Sequence, residues 1–403
     1  MTVHVVGAGV AGLAAALALA EAGEAVHLWE AASLAGGRCR ALPDGRDNGT
    51  HALLGGNRAA LGFLGAIGAR DAWIAPEPEG LPLLDLADGA LRRVALSPLG
   101  WFRADRRPPG GVLALARLLR PGADRSIAAT FADRPVLLRG FVEPLALAAL
   151  NTPVAEASAA MLGAVARRLL YPGAGRLLVA REGLGRDLVT PALAALAARG
   201  VLFTAAARLR GLVVLAGQAR ALIFAEARID LAAADAVVLA LPPWEAARLL
   251  PGLAVPQDHA PILNLHFAHG VPGRPRFVGV LGGLCQWVLF RPGGVAVTVS
   301  AADAESDARA EDLGPAAWAE VLRIVAATGL AGEWPIRAPA CQLVKERRAT
   351  PRHRPGLRVL PPRRPLANLA LAGDWTDPDL PATIEAAVRS GRDAARTLAR
   401  RRR

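Results

Sequence analysis

A short apolar strand that runs into a glycine-rich turn and then into an alanine-leucine helix constrains this chain more than any other feature. Val3 to Val6 lead directly into Gly7-Ala8-Gly9-Val10-Ala11-Gly12, and a second apolar run ends on Glu30. Each position has a mechanical reason. Gly7 permits the sharp exit from the strand, Gly9 lets the backbone approach a pyrophosphate, and Gly12 lets the helix lie close to the sheet. The helix N-terminus, with Val10 and Ala11 in its first turn, offers unpaired N–H groups and a positive dipole end to the phosphates. Glu30 can accept hydrogen bonds from the ribose hydroxyls of an adenosine, and an acid there disfavours a 2′-phosphate.

That pattern alone serves NAD as well as FAD. Two further segments narrow it. Gly36-Gly37-Arg38 lies just beyond Glu30, where a second glycine turn and a guanidinium can cover the other side of the pyrophosphate, the planar fork of arginine suiting phosphate oxygens. Near the C-terminus, Leu369-Ala370-Leu371-Ala372-Gly373-Asp374 reads as an apolar strand ending in Gly-Asp, and after Pro381 a helix begins near Thr383. The expected cofactor is therefore FAD.

With 403 residues the chain has room for two domains, and its 53% hydrophobic content excludes general disorder. The window Val3 to Ala20 is nearly all apolar, yet His4 and three glycines in a turn pattern mark it as a buried strand, turn and helix. No transmembrane helix is expected. A strand beginning at residue 3 leaves no room for a signal peptide, so a cytoplasmic location is expected. Cys39, Cys285 and Cys341 show neither CxxC nor metal-ligand spacing and read as free thiols, with no metal site and no disulfide framework. The net charge of +12 rests almost wholly on arginine, with Lys345 the one lysine. The arginines are spread along the chain and stacking aromatics are scarce, so no nucleic-acid partner is expected. Arg389, Arg392 and Arg396 with Arg400 to Arg403 form a basic C-terminal edge, readable as a solvated helix end or as a contact with an anionic membrane surface.

The cofactor signals lie at both ends, so the expected fold is α/β: a discontinuous Rossmann-like FAD-binding domain with an inserted α+β substrate domain. Residues 1–60, 183–250 and 346–403 form the first. In 61–182 the pattern reads as helical, with Asn57 to Ile67, Val112 to Leu119, Pro135 to Leu150 and a helix capped by Thr152. Residues 251–345 alternate short β-like runs with Gly and Pro, followed by a helix carrying Trp318, Val321 and Ile324.

These residues resemble the FAD-dependent amine oxidase and phytoene desaturase superfamily and, within it, the hydroxysqualene dehydroxylases. The resemblance rests on Asp47-Asn48-Gly49-Thr50-His51 with Gly55-Gly56-Asn57-Arg58, on Glu143-Pro144-Leu145 through Asn151-Thr152-Pro153, on Gln286-Trp287, on Ala372-Gly373-Asp374-Trp375-Thr376, and on Leu380 to Gly391. Thr50 and Ala52 depart from the family pattern beside the flavin. The resemblance implies further cofactor contacts at Gly49, Thr50, His51, Leu209, Gly373, Thr383 and Ile384, with Asp374 on the ribityl chain. It implies a long apolar isoprenoid substrate, an unidentified electron donor, and reduction of hydroxysqualene to squalene. A hydroxide leaves poorly, so a proton donor is needed. His51 is the first candidate and Glu143 the second, burial raising the carboxyl's pKa. Trp287 and Trp375 read as core residues or as stabilisers of a cation. A polyisoprenoid desaturase and a non-enzymatic prenyl-lipid carrier are the competing readings.

Overall fold

The computed structural model describes residues 2–120 and 122–399, and its centre is a five-stranded parallel sheet. The strand order is Leu369–Leu371, Ala236–Leu239, Thr2–Val6, Ala25–Trp29 and Leu202–Thr204. The chain winds outward from Thr2–Val6 through Ala25–Trp29 to Leu202–Thr204. It then returns on the other side through Ala236–Leu239 and Leu369–Leu371. The winding direction thus reverses beside Thr2–Val6, and in open parallel sheets ligands bind at the carboxyl ends of strands at such a reversal. Gly7 follows that strand directly.

Helix Val10–Glu21 is buried along most of its length, as its alanine-rich sequence allows, and it packs against the last helix, Ile384–Ala399. The two backbones come so close that a Cβ on Gly391 would stand 2.2 Å from the Ala11 carbonyl oxygen.

The second body is a seven-stranded mixed sheet in the order Cys341–Pro351, His259–Phe267, Gly294–Ser300, Trp287–Arg291, Arg276–Leu281, Leu81–Asp85, Leu91–Val94. Period-two alternation sorts its residues between two cores. Val278, Val288 and Phe290 pack with Trp318, Val321 and Ile324 of helix Ala310–Thr328, whereas Phe277, Trp287 and Leu289 pack with Phe131, Leu137 and Phe141 of the helical stretch.

The α/β architecture with an inserted α+β region is the one the sequence indicates; several elements differ in detail. The stretch 61–182 is not purely helical, since Leu81–Asp85 and Leu91–Val94 join the large sheet and Leu177–Ala180 pairs with Ala52–Leu54 and Trp73–Ile74. Strand Cys341–Pro351 runs unbroken through the expected boundary at 345/346. Pro135 to Leu150 is helical throughout, as expected, but a π turn, Leu138–Val142, interrupts it between Pro135–Leu137 and Glu143–Leu150, because Pro144 has no N–H for the carbonyl four residues back. Another π turn, Gly185–Val189, precedes Pro191, and the Asp187 carbonyl that Pro191 cannot serve accepts from Trp73 Nε1 at 3.0 Å. Thr152 caps no helix, its hydroxyl donating to the Leu150 carbonyl and accepting from the His353 N–H. Ser158 is the actual N-cap, accepting from the Met161 N–H in front of helix Ala159–Arg167.

No helix among the described residues is long and apolar enough to cross a membrane. Arg389 folds back onto Asp377 and Asp379 at 2.8 and 2.7 Å, and Arg396 pairs with Asp393, while Arg400 to Arg403 lie outside the described residues.

Gly391→Val is expected to push the last helix off Val10–Glu21 and to destabilise the protein by roughly 3 kcal/mol. Thermal unfolding checks this, and an unchanged midpoint would show that the helices can separate without loss.

Candidate active site

The three glycines of the first turn serve three different ends. Gly7 has φ +102°, and a Cβ there would lie 2.3 Å from the Ala240 carbonyl oxygen. At Gly12 a Cβ would meet the Gly7 carbonyl at 1.8 Å and the Ala240 methyl at 3.2 Å, so this glycine sets the helix–sheet spacing. Gly9 is different. Its Cβ would meet only the Gly37 Cα, at 4.0 Å, and would project into the cavity that Gly9 lines. Gly9 also forms a parallel bridge with Gly36, so the two glycine turns make opposing lips of one cradle. Val10 and Ala11 line the same cavity, and no acidic side chain occupies the first turn of their helix. Glu30 stands at the rim, its carboxylate accepting from the Ala8 N–H at 2.8 Å and the Ala32 N–H at 2.9 Å. Two fixed hydrogen bonds orient it while leaving lone pairs for hydroxyl donors.

The distant end of the chain meets this cradle. Arg38 Nη2 donates to Asp374 Oδ2 at 2.6 Å and its Nη1 to the Ala349 carbonyl, joining residues from the second turn, the last strand's exit and the large sheet. The Gly373 N–H donates to Ser390 Oγ at 3.0 Å, which ties the turn to the final helix. Thr383 Oγ1 accepts from the Ala386 N–H, and Thr383 and Ile384 line the cavity at the start of that helix. Gly37, Gly49, Thr50, His51, Leu209, Gly373 and Asp374 line the same space. Of the residues the sequence assigns to the cofactor, only Gly12 lies behind the lining, for the packing reason above.

The segment Asp47 to His51 is pinned from the large sheet. Asp47 Oδ1 accepts from the Leu184 N–H at 2.6 Å and Oδ2 from Arg291 at 2.8 Å, while Asn264 presses on Gly49 and accepts from Thr298 Oγ1 at 3.0 Å. Asn151 ends its helix in the left-handed conformation, φ 47°, and bonds the Ala260 carbonyl, Thr350 Oγ1 and the Ala301 N–H. Asn264, Thr298 and Glu346 line the cavity and were not singled out by sequence, where they are isolated polar residues inside β-like runs. Each stands two residues from another lining residue of its own strand, Ile262, Ser300 and Arg348 respectively, an alternation that carries information only once the cleft-facing side of the strand is known.

The cavity, about 660 Å³, has two chemically distinct parts. One is walled by the glycine turns, Glu30, Arg38 and Asp374; the other by Leu81, Leu83, Val94, Leu96, Phe141, Leu145, Phe277 and Trp287. Trp287 Nε1 and Asn48 Oδ1, both buried in residues of this lining, have no hydrogen-bond partner within the protein. Trp287 stacks on Phe277, centroids 5.4 Å apart, and Trp375 Nε1 donates to the Leu241 carbonyl.

The structure places the two expected proton donors differently. His51 lines the cavity, but its Nδ1–H donates to the Gly49 carbonyl at 3.0 Å and burial pushes its pKa below the ordinary histidine value. The ring is then neutral, and its Nε2 presents a lone pair rather than a proton. Burial does raise the Glu143 carboxyl, yet Glu143 is not among the cavity's lining residues, because Phe141, Pro144 and Leu145 take the inward face of that turn and helix. Glu385 reaches the lining, where its carboxylate accepts from the Ala59 and Ala60 N–H groups and so holds the N-terminus of helix Arg58–Ala66. Burial pushes the Cys39 thiol up to about 12, which leaves it without thiolate reactivity.

The sequence profile of the flavin-containing amine oxidoreductases matches residues 10–271 and 344–399. A hydroxysqualene dehydroxylase of Rhodopseudomonas palustris is 42% identical, the match covering 98% of this chain and 97% of that protein. Proteins of the same name from Sinorhizobium fredii and Zymomonas mobilis are 39% and 34% identical, with at least 97% of each chain covered. Among solved structures, an oxidoreductase from Methanosarcina mazei superposes with a TM-score of 0.71 at 17% identity, covering 98% of this chain and 100% of that one. Cyclohexylamine oxidase from Brevibacterium oxydans gives 0.71 at 14% identity over 99% of both, a likeness of fold.

Gly9→Val is expected to yield folded protein that retains little flavin, since the side chain would fill the cradle. The absorbance of the purified variant tests this, and full occupancy would refute the placement of the pyrophosphate.

Proposed function

The chain belongs to the flavin-containing amine oxidoreductase family and, within it, to the hydroxysqualene dehydroxylases, and on that footing we propose that this oxidoreductase uses FAD to reduce hydroxysqualene to squalene in squalene and hopanoid synthesis. One observation carries the reading: a single cavity joins a dinucleotide cradle to an apolar arm. The residues present fit FAD. A Cβ at Gly9 would project into the cradle, Val10 and Ala11 line it at a helix N-terminus, Glu30 is held ready for a ribose, and Asp374 is fixed by Arg38.

In the overall change a carbon–oxygen bond is replaced by a carbon–hydrogen bond, and the oxygen leaves as water after gaining a proton. Held by the Gly9 cradle, Glu30 and Asp374, reduced FAD would supply the hydride, with a separate electron donor needed to keep it reduced. The hydroxyl is allylic, so the carbon it leaves becomes part of a delocalised cation. The apolar arm holds the isoprenoid chain and excludes water that would otherwise return to that carbon. Trp287, stacked on Phe277, presents an aromatic face within this arm. His51, neutral with Nε2 unprotonated, can accept a hydrogen bond and so help to orient a hydroxyl.

Anaerobic incubation with chemically reduced flavin and hydroxysqualene is expected to give squalene, identified by mass as loss of the oxygen. Removal of two hydrogens with the oxygen retained, in a parallel incubation with oxidised flavin and an added electron acceptor, would instead establish a desaturase, and purified protein without a flavin spectrum would favour a lipid carrier. Glu143→Gln is expected to leave the rate within about threefold, since a general acid contributes on the order of 100-fold or more. A loss of that larger size would return Glu143 to the reaction.

A further inference from the structure

A face away from the last helix combines exposed apolar side chains with an excess of arginine: Arg103, Arg106, Arg117, Arg134 and Arg139 pair with Asp105, Asp133 and Asp85, and the arginines still outnumber the acids. Residues 98–140 carry eight arginines against three aspartates, with no glutamate or lysine. Within them Leu99, Phe102, Leu113 and Val136 are 51%, 81%, 89% and 61% exposed. These are large side chains whose neighbours Leu115, Leu118 and Leu137 are fully packed, so the exposure does not come from a loose segment without a core.

The exposed residues belong to two strips that pack on each other. In the first, the 3₁₀ turn Pro98–Phe102 leads through Pro109 and Gly110 into Val112–Leu119, where Leu115 and Leu118 face inward while Leu113 faces out. In the second, Leu137 and Gly140 lie directly under that turn: a Cβ on Gly140 would meet Pro109 Cγ at 2.6 Å, and one on Gly110 would meet the Leu137 nitrogen at the same distance. Trp101 meets Phe141 edge to face, and Phe141 and Leu96 line the apolar arm of the cavity. The basic, apolar surface is therefore the outer side of the wall whose inner side faces that arm.

We propose that this face, residues 98–119 with 133–140, docks onto an anionic phospholipid bilayer, seating Phe102, Leu113, Leu99 and Val136 at the acyl boundary. Arginines around an apolar tip match an anionic lipid surface in both respects. The occupant is further argued from the cavity: an isoprenoid substrate partitions into membranes, and a protein that takes it up gains by placing the wall of its apolar arm against the lipid. This last argument rests on the function proposed above; the charge and exposure do not.

Co-sedimentation of the full-length holoprotein with phosphatidylglycerol-rich and with pure phosphatidylcholine vesicles tests it. Binding is expected to be stronger to the anionic vesicles. Phe102→Asp/Leu113→Asp is expected to weaken that binding by roughly tenfold or more, with flavin content and turnover of detergent-dispersed substrate unchanged. Leu99→Asp/Val136→Asp serves as an independent pair should the first not fold. Deleting Arg400 to Arg403 is expected to weaken binding less than either double substitution does, four terminal charges lacking an apolar anchor. Undiminished binding in the folded variants, equal binding to both vesicle types, or loss of binding on the terminal deletion alone would each overturn the proposal. Vesicle binding that depends on Phe102 and Leu113 in a protein that does not reduce hydroxysqualene would uphold the docking face and refute the substrate reading.

Discussion

Parallel strands cannot be joined by a tight turn, and the arrangement of this molecule follows from that constraint. Every neighbour in the five-stranded sheet is reached by a crossover, and the long crossovers carry the inserted region. The connection from Ala25–Trp29 to Leu202–Thr204 contains the helical stretch, and that from Ala236–Leu239 to Leu369–Leu371 contains most of the large sheet. Because the winding reverses beside Thr2–Val6, the crossovers leave the sheet on either side of one crevice, into which Gly9 opens. The cofactor cradle and the apolar arm are thus neighbours by topology before any side chain is chosen.

Side chains then fix the two bodies against each other. The Asp47–Arg291 pair is largely withdrawn from solvent, with both carboxylate oxygens engaged, and Arg291 also donates to the Ala180 carbonyl. Removing one member of a buried pair leaves an uncompensated charge, at a cost of about 3–5 kcal/mol. Asn151 works at the other side of the cleft, its amide spanning three segments of chain. Such polar joints add register rather than raw adhesion: a slip at the Asp47 joint would shift Gly49 to His51 relative to the cradle.

What the sequence made legible was the part whose geometry is local. Gly7 and Gly12 carry distinct steric duties within a few residues, and the structure shows the turn at Gly7 and the close helix–sheet packing at Gly12, while Gly9 opens onto the cavity. Strands such as Gly294–Ser300 were readable from alternation, and Trp318, Val321 and Ile324 from helical spacing. The misreadings have a common origin in long-range competition. Thr152 has the composition of an N-cap, but its hydroxyl is engaged by Leu150 and His353, the latter 201 residues away. Glu143 has the environment of a raised carboxyl, yet a rotation of one helical position decides whether it or Pro144 meets the cavity. Asn264 and Thr298 were silent because a lone polar residue in a strand says nothing of what lies across the sheet.

The contact between Gly391 and the first helix has a consequence for how the protein comes to be made. Ile384–Ala399 supplies part of the pocket lining and the clamp behind Val10–Glu21, and Leu369–Leu371 completes the central sheet. During synthesis the strands made first are left with an unpartnered apolar edge until Leu369–Leu371 and Ile384–Ala399 have also been made. The pocket can close only after that, and until then the exposed edge is the part of the young chain most in need of protection from aggregation.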